Sequence, residues 1–125
     1  MAKQAILLYN CSGPQWTKLH QMMMMLRFRI RVITPDRYHL SLEELAAGKG
    51  EAGDAQEAIP ESMMVFCGVG QPQLEAILNA IHLAKLPPIP LKAVLTESNR
   101  TWNSLQLREE LLKEREELEK QQSEV

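Results

Sequence analysis

Cysteine, histidine and aromatic residues are all scarce in this chain, and each scarcity removes a class of function. There are two cysteines, Cys11 and Cys67, far apart and each within or beside an apolar run. That is too few for the disulfide framework of a small secreted domain, so both thiols are expected to be reduced. The histidines, His20, His39 and His82, are scattered. Neither they nor the cysteines form an HxxxH or CxxC spacing, so no metal centre or cofactor is expected. Neither charge sign dominates: the net charge is -2 with acids and bases interspersed, which argues against a nucleic-acid or anionic-membrane partner. No apolar run is long enough to cross a bilayer, and the start, Met1-Ala2-Lys3-Gln4, lacks the long apolar region of a signal peptide. A cytoplasmic protein without a membrane partner is the expectation.

What is present suffices for one domain, since 45% of 125 residues are hydrophobic and a chain of this size builds one core more readily than two. Ala5 to Asn10 is an apolar run ending in a turn signal, which predicts a buried strand. Ser12-Gly13-Pro14 then opens a helix carrying Trp16, Leu19, Met23 and Leu26 at helical spacing. From Arg27 to Val32, Arg27, Arg29 and Arg31 alternate with Phe28, Ile30 and Val32, the pattern of a half-buried edge strand. A short helix is expected over Ser41 to Ala47, followed by a Gly, Ala and acid-rich flexible loop at residues 48–61. Met63 to Cys67 predicts a second fully apolar strand. Pro72 begins a helix with Leu74, Ile77, Leu78 and Ile81 on one face. Pro87, Pro88 and Pro90 break that helix, and a last strand runs from Leu91 to Leu95.

A Glu-, Lys- and Leu-rich helix at about 100–122 closes the chain, with Asn99 or Thr101 as its cap. At about 100° per residue, Trp102, Leu105 and Leu112 lie on one side and Leu107, Leu111 and Leu118 on the other. One sheet cannot bury both stripes. Either the helix sits in a groove or the second stripe meets another chain, a protein partner or a second copy. The order of elements predicts an α/β domain of three layers. The two strands apolar on both faces belong at the centre, giving a four-stranded, mainly parallel sheet of order 2-1-3-4 with helices on both faces. A ferredoxin-like α+β arrangement is the alternative, because it also centres the first and third strands.

Several stretches carry a family resemblance. Ile6 to Asn10 (ILLYN), Met63 to Val69 (MMVFCGV), Gln73 to Ile81 (QLEAILNAI) and above all Leu91 to Glu114 (LKAVLTESNRTWNSLQLREELLKE) resemble the bacterial domain-of-unknown-function family DUF 3783. The likeness runs through nearly the full chain outside the acidic middle, and its specific part is Lys92 to Thr96 with Asn99, Trp102 and the Glu110 helix face. The family pattern tends to end in Glu-His, whereas Glu114 here precedes Arg115. The resemblance implies a single compact bacterial domain and no particular activity.

A site follows from geometry. In an open parallel sheet, ligands lie outside the strand carboxyl ends where connections diverge. Between the first and third strands that crevice collects Asn10, Cys11 and Ser12, then Cys67, Gly68 and Gly70, and Lys92, Thr96 and Asn99 from the last loop. Helix amino ends at Pro14 and Pro72 favour an anion there. The simpler account is that the glycines only turn the chain and that Ser12 and Asn99 only cap helices. The enzyme alternative uses Cys11 and Cys67 as a nucleophile or redox pair near helix amino ends. Against it, a free cysteine in an apolar strand is commonly a small buried hydrophobe, and no histidine is placed to activate either thiol. Arg27, Arg29, Arg31 and Arg37 form a basic ridge that could grip RNA or phosphate; without interleaved aromatics, protection of a sheet edge is the simpler account. The expectation is therefore a non-catalytic interaction or regulatory module. Its surface would be the C-terminal helix and the 92–102 turn, with Trp102, Leu107, Leu111 and Leu118 as partner residues. The competing reading is a small-molecule or anion-binding protein, or a thiol enzyme, at the strand ends.

Overall fold

Two five-residue strands, β1 (Ala5–Tyr9) and β3 (Met63–Cys67), are buried at every position, because apolar layers cover both of their faces. The computed structural model describes residues 4–11 and 13–123, with side chains as far as Lys120. After β1 come α1 (Thr17–Met25), β2 (Ile30–Val32) and α2 (Leu42–Ala47); after β3 come α3 (Gln71–Leu83), β4 (Leu91–Val94) and α4 (Ser104–Ser123). The sheet order is β2-β1-β3-β4, with the outer strands partly exposed, as sheet edges are. Alternate strand residues point to opposite layers. Leu7, Tyr9, Met63, Val65 and Leu91 pack with Leu42, Leu45 and Leu107 of α2 and α4. Ile6, Leu8, Met64 and Phe66 pack with Leu19, Met23 and Ile77 of α1 and α3. Helices on both faces make this a three-layer α/β domain and not the one-sided ferredoxin-like arrangement.

The outer pairs, β1 with β2 and β3 with β4, are parallel, whereas the central pair is antiparallel, Ala5 opposite Cys67 and Tyr9 opposite Met63. The connection explains the reversal. A parallel return is usually carried by a helix that runs back along the sheet, and α2, with 6 residues, is only about 9 Å long, shorter than a five-residue strand of about 17 Å. The chain therefore re-enters the sheet at the end where β2 left it. Backbone bonds hold the intervening loop there, Gly53 N–H to the Asp36 carbonyl (2.7 Å) and Gln56 N–H to the Pro35 carbonyl (3.2 Å).

The reversal makes the two halves of the chain equivalent. Each is a strand–helix–strand–helix unit, and the β1–β3 pairing centred on Leu7 and Val65 is self-complementary, as in a two-fold interface. Asn10 and Gly68, equivalent positions just past β1 and β3, both have positive φ (55° and 68°). So do Arg27 and Lys85, which close α1 and α3 (64° and 55°). Ile33 N–H bonds the Leu8 carbonyl as Leu95 N–H bonds the Phe66 carbonyl, each at 2.9 Å. Ser41 and Asn103 open α2 and α4 with the same reciprocal cap.

Some boundaries move. The strand expected from Arg27 occupies only Ile30–Val32, because Arg27 takes up the left-handed turn after α1, so the three arginines do not share a strand face. Helix α4 starts at Ser104, capped by Asn103, because Asn99 and Thr101 lie in the preceding turn. Of the four consecutive methionines only Met23 is buried, and Met25 is 82% exposed, as expected for residues that point all round a helix.

Candidate functional site

The antiparallel centre divides the expected strand-end crevice. Asn10 and Cys11 lie beyond the β1 terminus beside Ser62 and Met63, whereas Cys67, Gly68, Gly70, Thr96 and Asn99 lie at the opposite end of the sheet. About six residues of strand, roughly 20 Å, separate the two groups. Ser12 lies outside the described residues.

At the first end, Asn10 Nδ2 donates to the Pro60 carbonyl (2.8 Å) and Ser62 Oγ donates to the Asn10 carbonyl (2.9 Å), so these groups fasten the loop to the strand. Cys11 is fully buried, its Sγ directed at the Tyr9 carbonyl at 3.3 Å. Burial pushes its pKa up, against weaker opposition from hydrogen bonds. At the other end, burial pushes the Cys67 thiol up to about 12. The two cysteines also face opposite layers, Cys67 toward α2 and α4 and Cys11 toward α1 and α3. This geometry holds both as neutral thiols and keeps them apart, the reverse of an activated pair.

The polar turn after β4 is likewise occupied with itself. The buried Asn99 accepts from Thr96 N–H (2.8 Å) through Oδ1, donates from Nδ2 to the Val94 carbonyl (3.0 Å), and donates its own backbone N–H to Thr96 Oγ1 (3.2 Å). Gly70 opens α3 with its amide bonded to Gln73 Oε1 (3.2 Å). Lys92 Nζ reaches the Ile89 carbonyl at 3.0 Å. Arg100 spans from this turn to Glu43 of α2 at 3.1 Å, and Arg108 of α4 makes a bidentate pair with Glu61 at 2.7 and 2.9 Å.

The proposed partner stripe on α4 also divides. Leu107 is 2% exposed and belongs to the core, with Trp102, Leu111 and Leu112 partly buried against it. The helix therefore packs on β4 in the same layer as α2, and Leu107 is not available to a partner. Leu118 stays 58% exposed. It sits over a hollow of about 120 Å³ beside the free edge of β4, lined by Pro90, Leu91, Lys92, Leu111, Glu114 and Arg115. Arg115 bonds the Pro90 carbonyl at 2.9 Å and ties the helix to that edge. Among the described residues no group of three or more His, Cys, Asp or Glu could hold a metal, and no helix is long and apolar enough to cross a membrane.

Residues 62–118 match the family model of DUF3783, a domain of unknown function. The likeness to DUF3783 rests on this segment, a little under half of the chain. The matched segment covers β3, α3, β4 and most of α4, one complete unit of the structural repeat. The resemblance of the first strand, Ile6 to Asn10, falls outside it. In this chain the segment similar to DUF3783 pairs with a first unit of the same architecture. No curated protein and no solved structure matched the chain.

Proposed function

We propose that this protein is a non-catalytic interaction module of the bacterial cytoplasm that receives a protein partner along the outer half of α4 and the adjoining margin of β4. The observation that carries this reading is the length of α4. Packing on the core ends at Leu112, yet the helix runs on to Ser123. A surface helix is stabilised mainly by its buried face, and here Leu118 remains uncovered above a hollow flanked by Lys92, Glu114 and Arg115. Among the described residues the β4 edge beside it has no strand neighbour, so its backbone is open to contact. The buried, high-pKa thiols support a binding role over thiol catalysis.

A photo-crosslinking side chain placed at position 118 of the full chain, in cells that express it, tests the reading. The control is the same group at Leu78, exposed on α3 in the opposite layer. A discrete protein adduct or doubled mass from position 118 and not from position 78 is expected. No adduct, or the same adduct from both positions, would overturn the proposal.

A further inference from the structure

We propose that the first unit holds a binding site for the phosphoryl group of a small molecule, between β2 and the end of α2. A cavity of about 300 Å³ lies there, lined by Ile30, Arg31, Val32, Ile33, Arg37, Leu45, Gly48 and Lys49. Three of these residues are cationic and none is acidic. Arg31, Arg37 and Lys49 form no ion pair among the described residues, unlike Arg100 and Arg108. Arg31 Nε is shielded from solvent without a hydrogen-bond partner, a costly state for a guanidinium nitrogen unless an acceptor arrives.

The repeat supplies an internal comparison. The second-unit equivalents of Arg31, Arg37 and Lys49 are Ala93, Asn99 and Leu111, so the cations belong to the first unit alone. The space has a structural origin as well. In the second unit α4 continues past Leu107 and lays Leu111 beside β4, whereas α2 stops at Gly48 (φ 71°) and leaves β2 uncovered. A methyl group at Gly48 would lie 2.6 Å from an Arg31 nitrogen, so glycine here admits the guanidinium. Among the described residues no side-chain hydrogen bond joins Arg31, Arg37 or Lys49 to the end of α2, where the Leu45 and Glu44 carbonyls accept from the Gly48 and Lys49 amides (3.1 and 2.9 Å).

Two guanidinium forks and an ammonium suit a dianionic phosphoryl group, and Ile30, Ile33 and Leu45 offer an apolar floor for the body that carries it. A concave site of this size on a chain of net charge -2 does not suit a nucleic-acid strand. The site lies at the opposite edge of the sheet from Leu118, so it stands or falls independently of the α4 surface.

The test titrates inorganic phosphate and glycerol phosphate into the full chain at constant ionic strength, following the Nε–H resonance of Arg31 and the melting temperature, with chloride as control. Expected is saturable binding that shifts the Arg31 resonance and weakens at least tenfold in Arg37→Gln and in Lys49→Gln, both surface-accessible changes that preserve the fold. Tighter binding of the ester identifies a phosphorylated metabolite as the source, and equal binding identifies free phosphate. A response no different from chloride, or one unchanged in both variants, overturns the site.

Discussion

Ser41 and Asn103 face each other in an isolated antiparallel bridge, and each caps the helix that follows it. Ser41 Oγ accepts from Glu44 N–H at 3.1 Å and Asn103 Oδ1 from Gln106 N–H at 2.9 Å, while the Glu44 and Gln106 side chains return to the cap amides at 3.0 and 2.9 Å. The bridge joins the two units at their helix starts.

Equivalent caps should cost equivalent stability. Ser41→Ala and Asn103→Ala are each expected to lower the unfolding free energy by about 1 kcal/mol, and the glycine variants by only a few tenths. Urea denaturation measures both. A large loss at one cap and none at the other would show that the two units do not share this device.

The thiols are expected to be inert in the native protein. With Cys67 raised to about 12 by burial and Cys11 also raised, almost no thiolate forms near neutral pH. Alkylation should be slow in buffer and fast in denaturant, with Cys11→Ser and Cys67→Ser each removing one reactive equivalent. A thiol that is modified rapidly in the folded chain would restore a thiol-enzyme reading.

Acid should loosen the contact between the β2–β3 loop and α4. The Arg108 guanidinium holds the Glu61 carboxyl below its usual range. The unfolded chain therefore binds this proton at higher pH than the folded one, and stability grows with pH through that interval. The contribution is present above the unfolded value of 4.5 and is lost as pH falls through the lowered folded value. In Glu61→Gln, the acid side of a stability–pH curve should be flatter than in the wild type; an unchanged slope would mean that the pair contributes nothing to acid sensitivity.

Local patterns determined most of the architecture. The fully apolar runs Ala5–Tyr9 and Met63–Cys67 specified central strands, the alternation about Ile30 specified one edge and left the strand from Leu91 as the other, and Pro14, Pro72 and the proline cluster near Pro87 set helix limits. Together these determined three layers and the strand order, because burial and periodicity are written residue by residue. The direction of β3 relative to β1 is not local. It depends on whether the chain between Val32 and Met63 crosses the sheet or turns back, and a six-residue α2 with a loop held at Pro35 and Asp36 turns it back. Tertiary structure alone therefore separated Cys11 from Cys67, sent Leu107 into the core, and brought Arg31, Arg37 and Lys49 around one cavity, since each of these depends on which distant segments meet.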